Sequence, residues 1–293
     1  MSITLASTPL PVSSVPAEDD TLANPTASSL TYQPQQKSLS VTLNGPSIVT
    51  LSAILVLSLH TLGSVLTQCL VLLTPLVLLL RNDYCNFISL GPGGTPSTFS
   101  GYLQIAWWRL WALRDPFTLS KNFDSSTQAG ILPEQHLPYR HGLRPVVAGI
   151  APQRQIDQHG SRHSYQTLRR AMVKVGHLHP NKFGTERSCV EKHGLALFAK
   201  HALRTNCQGE IVHVHDSDHS MHMCLHADDI RQVLRKGWGQ RHPLARRGWF
   251  LQMPVSPNFV MVYAPRDECE LQIVYRIIEA AVWYTVEERV SLS

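Results

Sequence analysis

Charged residues are scarce in this chain of 293 residues: Asp, Glu, Lys and Arg together make up 16% of it. Hydrophobic residues make up 43%, which excludes a wholly disordered protein. The net charge of +5 is too small to argue for nucleic acid as a partner. The six cysteines include no CxxC pair, which argues against zinc ribbons and thioredoxin-like motifs, so we expect reduced, mostly buried thiols.

Motifs of nucleotide and ester chemistry are missing as well. The chain contains no GxxxxGK[ST] phosphate loop, and no GxGxxG stands between a strand and a helix. The GxSxG motif of α/β-hydrolases is also absent. The chain contains 15 histidines, which are the remaining candidates for its chemistry.

Charge and composition divide the chain into three parts. Residues 1–46 are rich in Ser, Thr and Pro, which predicts a disordered tail without the features of a secretory signal. From Ser47 to Leu80 there is no Asp, Glu, Lys or Arg, and about 20 apolar residues suffice to cross a bilayer. We therefore expect a single-pass transmembrane helix over residues 47–81, in contact with membrane lipid, rather than a buried core helix. Arginines after the run favour a cytosolic C-terminal domain over residues 82–293.

This domain mixes helical and strand patterns without a βαβ rhythm, which predicts an α+β fold. Acidic residues at one end and basic residues at the other predict a helix over Ala227–Lys236 that stops at Gly237. Asp267 is expected to cap a last helix that reaches about Val286. The aromatic segment 102–111 fits either an interfacial anchor or ordinary core packing.

A β-hairpin carries the candidate chemistry. Residues 211–215 and 220–225 alternate with period two on either side of a four-residue turn, which places His213 opposite His222 and His215 opposite Ser220. Three imidazoles then share one sheet face, while the other face is apolar. Three interpretations stay open: a solvated polar face, an acid–base or substrate site, and a metal site.

The segment KGWGQRHPLA, residues 236–245, is the second dense stretch. Two glycines flank Trp238, Arg241 can hold a carboxylate or enolate, and His242 can move a proton near neutral pH. The alternative is a structural corner anchored by Trp238.

Four motifs together resemble the fungal luciferase family: residues 210–216, 220–222, 236–245 and 262–267. The similarity extends over about residues 81–285. It implies a single luciferase-like domain behind a hydrophobic anchor. The implied reaction oxidises 3-hydroxyhispidin, an electron-rich pyranone, with O2 as co-substrate. An endoperoxide loses CO2 and leaves excited caffeylpyruvate, which emits green light.

The resemblance also implies that no flavin, NAD or metal takes part. A cofactor-free oxygenase needs a base, a group that holds the developing anion and a dry pocket. For catalysis the candidates are His213, His215, His222, His242 and Arg241. For substrate binding they are Trp238, Ser220, Arg144 and Gln240. If a metal is bound, its ligands are expected to be His213, His215 and His222.

Two other functions remain open from the sequence. The first is a non-luminous relative, either an enzyme or a binding protein, that acts on another phenolic or polyketide-like molecule. The second is a membrane-tethered metal-binding module built on the histidine face.

Overall fold

The computed structural model describes residue 36 and residues 45–119, 129–204, 207–248 and 251–292. The described residues divide into two compact units, one ending at Ser89 and the other running from Leu90 onward. The disordered tail predicted for residues 1–46 lies outside the described residues, apart from residues 36, 45 and 46.

The charge-free run forms two helices, α1 (Gly45–Thr61) and α2 (Val65–Ser89), so the single continuous helix expected over residues 47–81 is wrong. The break surrounds Gly63, because glycine is a poor helix former. The Gln68 side chain stabilises it by donating hydrogen bonds to the carbonyls of Leu59 at 3.1 Å and Leu62 at 2.9 Å. Among the described helices, α2 is long and apolar enough to cross a membrane.

The second unit contains a small two-stranded sheet and a six-stranded antiparallel sheet. The strands of the large sheet lie in the order β3-β4-β5-β6-β8-β7. The elements are α3 (Phe99–Arg109), β1 (Val147–Gly149), β2 (Gln153–Gln155), α4 (Arg162–Leu178), β3 (Phe183–Arg187), β4 (Leu195–Ala199), β5 (Glu210–Val214), β6 (Met221–Cys224), α5 (Ala227–Lys236), β7 (Gly239–Arg241), β8 (Phe259–Val262) and α6 (Glu268–Val286).

One face of the large sheet packs against α4, α5 and α6 and forms the main hydrophobic core. Val212, Val214, Met221 and Met223 contribute to it from the central strands, as their alternation predicted. Helices thus cover one face of an antiparallel sheet, which confirms the α+β class.

Local signals set the helix ends correctly. Helix α5 has the predicted bounds and ends at Gly237, whose φ of 82° lies in the left-handed region that glycine tolerates. Asp267 caps α6 through a hydrogen bond from the Glu270 amide. Helix α3 packs into the core through Tyr102, which agrees with one interpretation of the aromatic segment, while Trp107 is 52% exposed. The role of an interfacial anchor stays a prediction.

Candidate active site

The candidate site lies on the sheet face turned away from the three helices. The register of β5 with β6 is the one that the alternation predicted: His213 is opposite His222, and Val214 is opposite Met221. Strand β8 extends the same row with Met261 beside His222. Side chains alternate between the two faces, so the apolar partners enter the core and the histidines gather on the other side.

This face is buried, so the interpretation as a solvated polar face is wrong. His213 and His215 are each 1% exposed, and His222 is 3% exposed. The Nδ1 atom of His222 lies 3.0 Å from His215 Nε2 and 3.3 Å from His213 Nε2. Three imidazole nitrogens therefore meet at one buried point.

Each histidine is oriented by a polar partner that the sequence interpretation missed. The Nδ1 atom of His213 lies 2.6 Å from Glu210 Oε1. The Nδ1 atom of His215 lies 3.1 Å from Asp218 Oδ1, and the Ser220 hydroxyl donates to the other carboxylate oxygen of Asp218 at 2.9 Å. Both acids stand three residues from their histidine in the chain, a spacing that could have indicated them.

The third histidine is held from a distant strand. The Nε2 atom of His222 lies 2.9 Å from Oε1 of Gln153, which is 2% exposed and belongs to β2. Gln153 stands 69 residues before His222. Sequence reasoning had no local signal for this contact.

Burial and neighbouring groups shift the pKa values of several residues in the site. Burial raises the pKa of Asp218, but the charge of His215 and the hydrogen bond to it outweigh this and lower the value to about 2. Burial lowers the pKa of His215, and the charge of Arg154 adds to this effect. Burial also holds the pKa of His222 well below its ordinary value, with the neighbouring imidazoles contributing.

The connection between β3 and β4 folds back over this face and is anchored by Glu210. Its carboxylate accepts hydrogen bonds from the Ser188 hydroxyl at 3.0 Å and from the Cys189 amide at 2.7 Å. Cys189 also forms a disulfide with Cys207, just before β5. The expectation of reduced, mostly buried thiols is therefore wrong for this pair, because the fold-back brings together cysteines 18 residues apart. Cys69, Cys85 and Cys269 are free thiols, as expected, but they are exposed and not buried.

A cavity of about 300 Å³ opens beside the cluster, which is within the size range of small-molecule sites. Glu191 and Arg154 form a buried ion pair at its edge. Its lining includes Gln104, Ile105, Trp108, Ile150, Gln153, Glu191, His213, His222, His242, Leu244 and Phe259. His215 does not line the cavity itself but contacts His222, which does.

His242 forms part of the cavity wall but has no nitrogen available for proton transfer. Its Nε2 donates to the Ile150 carbonyl at 2.9 Å, and its Nδ1 accepts from the Leu244 amide at 3.1 Å. Burial lowers its pKa to about 4, so the ring is neutral at physiological pH. The geometry makes His242 a wall residue, contrary to the expected role as a base.

Arg241 lies outside the cavity, contrary to expectation. Its guanidinium donates to the main-chain carbonyls of Thr118 and Ala245. The register pairs it with Val260, a residue of the helix-side core, so alternation turns it away from the face that His242 shares.

The expected substrate-binding residues are also engaged elsewhere. Trp238 is part of the helix-side core and donates to the Pro138 carbonyl at 2.7 Å. Arg144 donates to the carbonyls of Gly239 and Leu234. Gln240 accepts from the Tyr263 hydroxyl at 3.1 Å. Ser220 lies in the layer behind His215, with its Oγ 2.9 Å from the Nδ1 atom of that ring. These residues support the site and do not face its cavity.

Known proteins match this chain across the site. The family model described as the luciferase domain matches residues 208–281. A luciferase of Neonothopanus nambi is 30% identical over 239 residues, which are 72% of this chain and 82% of the relative. A luciferase of Armillaria mellea is 30% identical over 255 residues, 77% of this chain and 90% of the relative. No solved structure matches. The chain therefore belongs to the luciferase family of these fungi.

Proposed function

We propose that the chain is a membrane-anchored luciferase-type oxygenase. Its substrates are 3-hydroxyhispidin and O2, and its products are caffeylpyruvate, CO2 and green light. The observation that carries this proposal is the cluster of three buried imidazoles beside a small-molecule cavity. Membership of the luciferase family supports the same conclusion.

The substrate itself supplies the electrons. Loss of the enol proton gives an enolate, which transfers one electron to O2, and the substrate radical and superoxide then combine to a peroxide. The peroxide closes onto the lactone carbonyl as an endoperoxide. Loss of CO2 breaks the O–O bond and leaves the product excited. One O2 enters and one CO2 leaves, so neither flavin nor nicotinamide is needed.

The histidine cluster performs the first step, ionisation of the enol. Glu210 keeps a proton on Nδ1 of His213, so Nε2 of that ring is an acceptor beside the cavity. In the metal-free protein this nitrogen takes the enol proton, since a neutral imidazole is a good base near neutral pH. Burial of the three rings limits the water that diverts reactive intermediates at this point.

Gln153 replaces the expected arginines as the group that holds the anion. Its Oε1 is occupied by His222, and its Nε2 is buried at the cavity without a hydrogen-bond partner among the described residues. Such an amide can donate to the developing oxyanion. The unmet hydrogen-bonding capacity of Gln153 thus matches a substrate oxygen.

The test is turnover of 3-hydroxyhispidin by the full-length protein, followed as oxygen consumption and light. His213→Ala is expected to lower the rate about 10²–10⁴-fold. His177→Ala, at an exposed position of α4, is the matched control and should keep the wild-type rate. Absence of oxygen consumption by the wild type would overturn the proposed reaction. Oxygen consumption without light would instead support a dark oxygenase.

Membrane anchoring rests on α1 and α2. Leucines along both helices are exposed, including Leu57 at 63% and Leu76 at 52%. Exposed apolar surface of this extent is unfavourable in water and favourable in lipid. Deletion of residues 1–89 is expected to move the protein from the membrane pellet to the soluble fraction. Full-length protein that stays soluble without detergent would contradict the anchor.

Two features disagree about the side of the membrane. Arginines after the apolar run favour a cytosolic domain, whereas the Cys189–Cys207 disulfide is typical of an oxidising compartment. Alkylation of intact cells with a membrane-impermeant reagent resolves this, using exposed Cys269 as the reporter thiol. Protection of Cys269 in intact cells that turns into labelling once the plasma membrane alone is permeabilised indicates the cytosolic side. Labelling in intact cells, or protection under both conditions, indicates the oxidising side.

A further inference from the structure

We propose that His213, His215 and His222 bind one divalent first-row transition metal ion in the active site. The proposal deepens the proposed function and rests on it for the role of the ion in catalysis. Metal binding itself rests on the geometry of the three rings. The resemblance to the fungal luciferases implied no metal. Metal binding and the proposed reaction can therefore be tested separately.

Hydrogen bonds turn one lone pair of each ring toward the same point. Glu210 and Asp218 accept from Nδ1 of His213 and His215, which leaves Nε2 of both rings without a proton. Gln153 Oε1 accepts from Nε2 of His222, which leaves Nδ1 of that ring without one. Carboxylates behind metal-binding histidines fix ring tautomers in this way in many metal sites.

The nitrogen separations fit a coordination sphere. His222 Nδ1 lies 3.0 Å from His215 Nε2 and 3.3 Å from His213 Nε2, and the three ligand atoms lie within 4.8 Å of one another. With metal–nitrogen bonds of about 2.0–2.1 Å, two ligands in tetrahedral or octahedral positions are roughly 2.8–3.4 Å apart. The third separation, between the Nε2 atoms of His213 and His215, is at most 4.8 Å, and rotation of the rings can shorten it.

A proton satisfies this arrangement less well than a metal ion. One proton on Nδ1 of His222 can serve either His215 or His213, but not both. The other nitrogen then keeps a buried lone pair directed at its neighbours, and an unpaired buried polar atom is costly. A metal ion accepts all three lone pairs at once.

The ligand set suits a catalytic metal site. Three protein ligands leave positions open for substrate, whereas structural sites use four. The cluster borders the cavity, where Nε2 of Gln153 can donate to an oxygen bound at an open position. The ion would hold the enol oxygen and favour its ionisation as a Lewis acid, and the enol proton would pass to solvent water at the open side of the cavity. His213 would then act as a ligand and not as the proton acceptor.

The experiment measures metal uptake by the full-length protein in detergent. Metal-stripped protein is incubated with Co²⁺ or Zn²⁺ and dialysed, and bound metal is determined by elemental analysis. Visible absorption of bound Co²⁺ reports its coordination number, and the melting temperature is measured with and without metal. We expect one ion per chain in the wild type and in His177→Ala, together with a raised melting temperature.

His222→Gln is expected to lose the bound ion and the metal-dependent rise in melting temperature. Glu210→Gln, which keeps all three rings, should weaken binding about 10–100-fold. Failure of the wild type to take up an ion overturns the site, and so does uptake that His222→Gln leaves unchanged. Neither readout needs the substrate.

Turnover separates the two proposals. Full turnover of 3-hydroxyhispidin by protein shown to be metal-free would overturn the catalytic metal and leave the proposed function standing. Stoichiometric binding at the three histidines without turnover would overturn the proposed function and leave the metal site standing.

Discussion

Replacement of Glu210 by glutamine tests the polar layer behind the histidines. The carboxylate accepts from His213 Nδ1 at 2.6 Å, from the Ser188 hydroxyl and from the Cys189 amide. A glutamine amide has one acceptor oxygen, and we expect this oxygen to accept the hydrogen bond from the main-chain N–H of Cys189, whose position is fixed. The new NH2 group then faces His213 and displaces the proton from Nδ1 to Nε2. The cavity-side nitrogen loses its lone pair, whether it acts as a base or as a ligand.

The size of the effect follows from these contacts. Loss of a general base lowers the rate about 10²–10⁴-fold, equivalent to about 2.7–5.5 kcal/mol of activation free energy. Hydrogen bonds to a charged group contribute about 1.5–3 kcal/mol. We therefore expect Glu210→Gln to lower the free energy of unfolding by an amount in that range. The loss of rate should therefore exceed what reduced stability explains at temperatures where the variant is folded.

The assay is a double-mutant cycle on oxygen consumption with 3-hydroxyhispidin. If Glu210 acts through His213, then Glu210→Gln should cost little further activity when His213 is already alanine. Glu288→Gln, in an exposed ion pair with Lys182, is the matched carboxylate-to-amide control. A wild-type rate constant in Glu210→Gln, or equal losses in both backgrounds, would refute the positioning role.

Three further predictions concern stability. Burial raises the pKa of Asp229 to about 7 from 3.8, so the folded chain holds a proton there that the unfolded chain has released, and stability falls as pH rises between these values. Asp229→Asn should raise the free energy of unfolding above pH 7 by at most about 4 kcal/mol and should change it little below pH 3.8. Identical denaturation curves of the variant and the wild type at pH 8 would exclude this effect. A Cβ on Gly93 would collide with the buried ion pair, so Gly93→Ala should cost about 1–3 kcal/mol in urea titrations, whereas Gly184→Ala, with open space around it, should not. Double replacement of Cys189 and Cys207 by serine should cost roughly 3 kcal/mol under oxidising conditions and nothing in reductant, read from melting curves.

Local patterns in the sequence were sufficient for the histidine hairpin and the last two helices. Alternation with period two sets which residues of β5 and β6 face each other, and capping residues set the ends of α5 and α6. These signals act between residues close in the chain, so they can be read without the fold. The same local reasoning overlooked the break at Gly63, where the preference of one residue interrupts an otherwise uniform apolar run.

The surroundings of the histidines depended on the tertiary structure. Gln153 approaches His222 from a strand 69 residues away, and Arg154 meets Glu191 across 37 residues. Arg241 was predicted to belong to the site because it stands beside His242 in the sequence, yet alternation along the strand turns its side chain away from the cavity. The sequence alone therefore determined which imidazoles share a face. Only the packing of distant segments decided that this face is buried, which lone pairs converge and which polar groups hold them, because those contacts depend on the path of the whole chain.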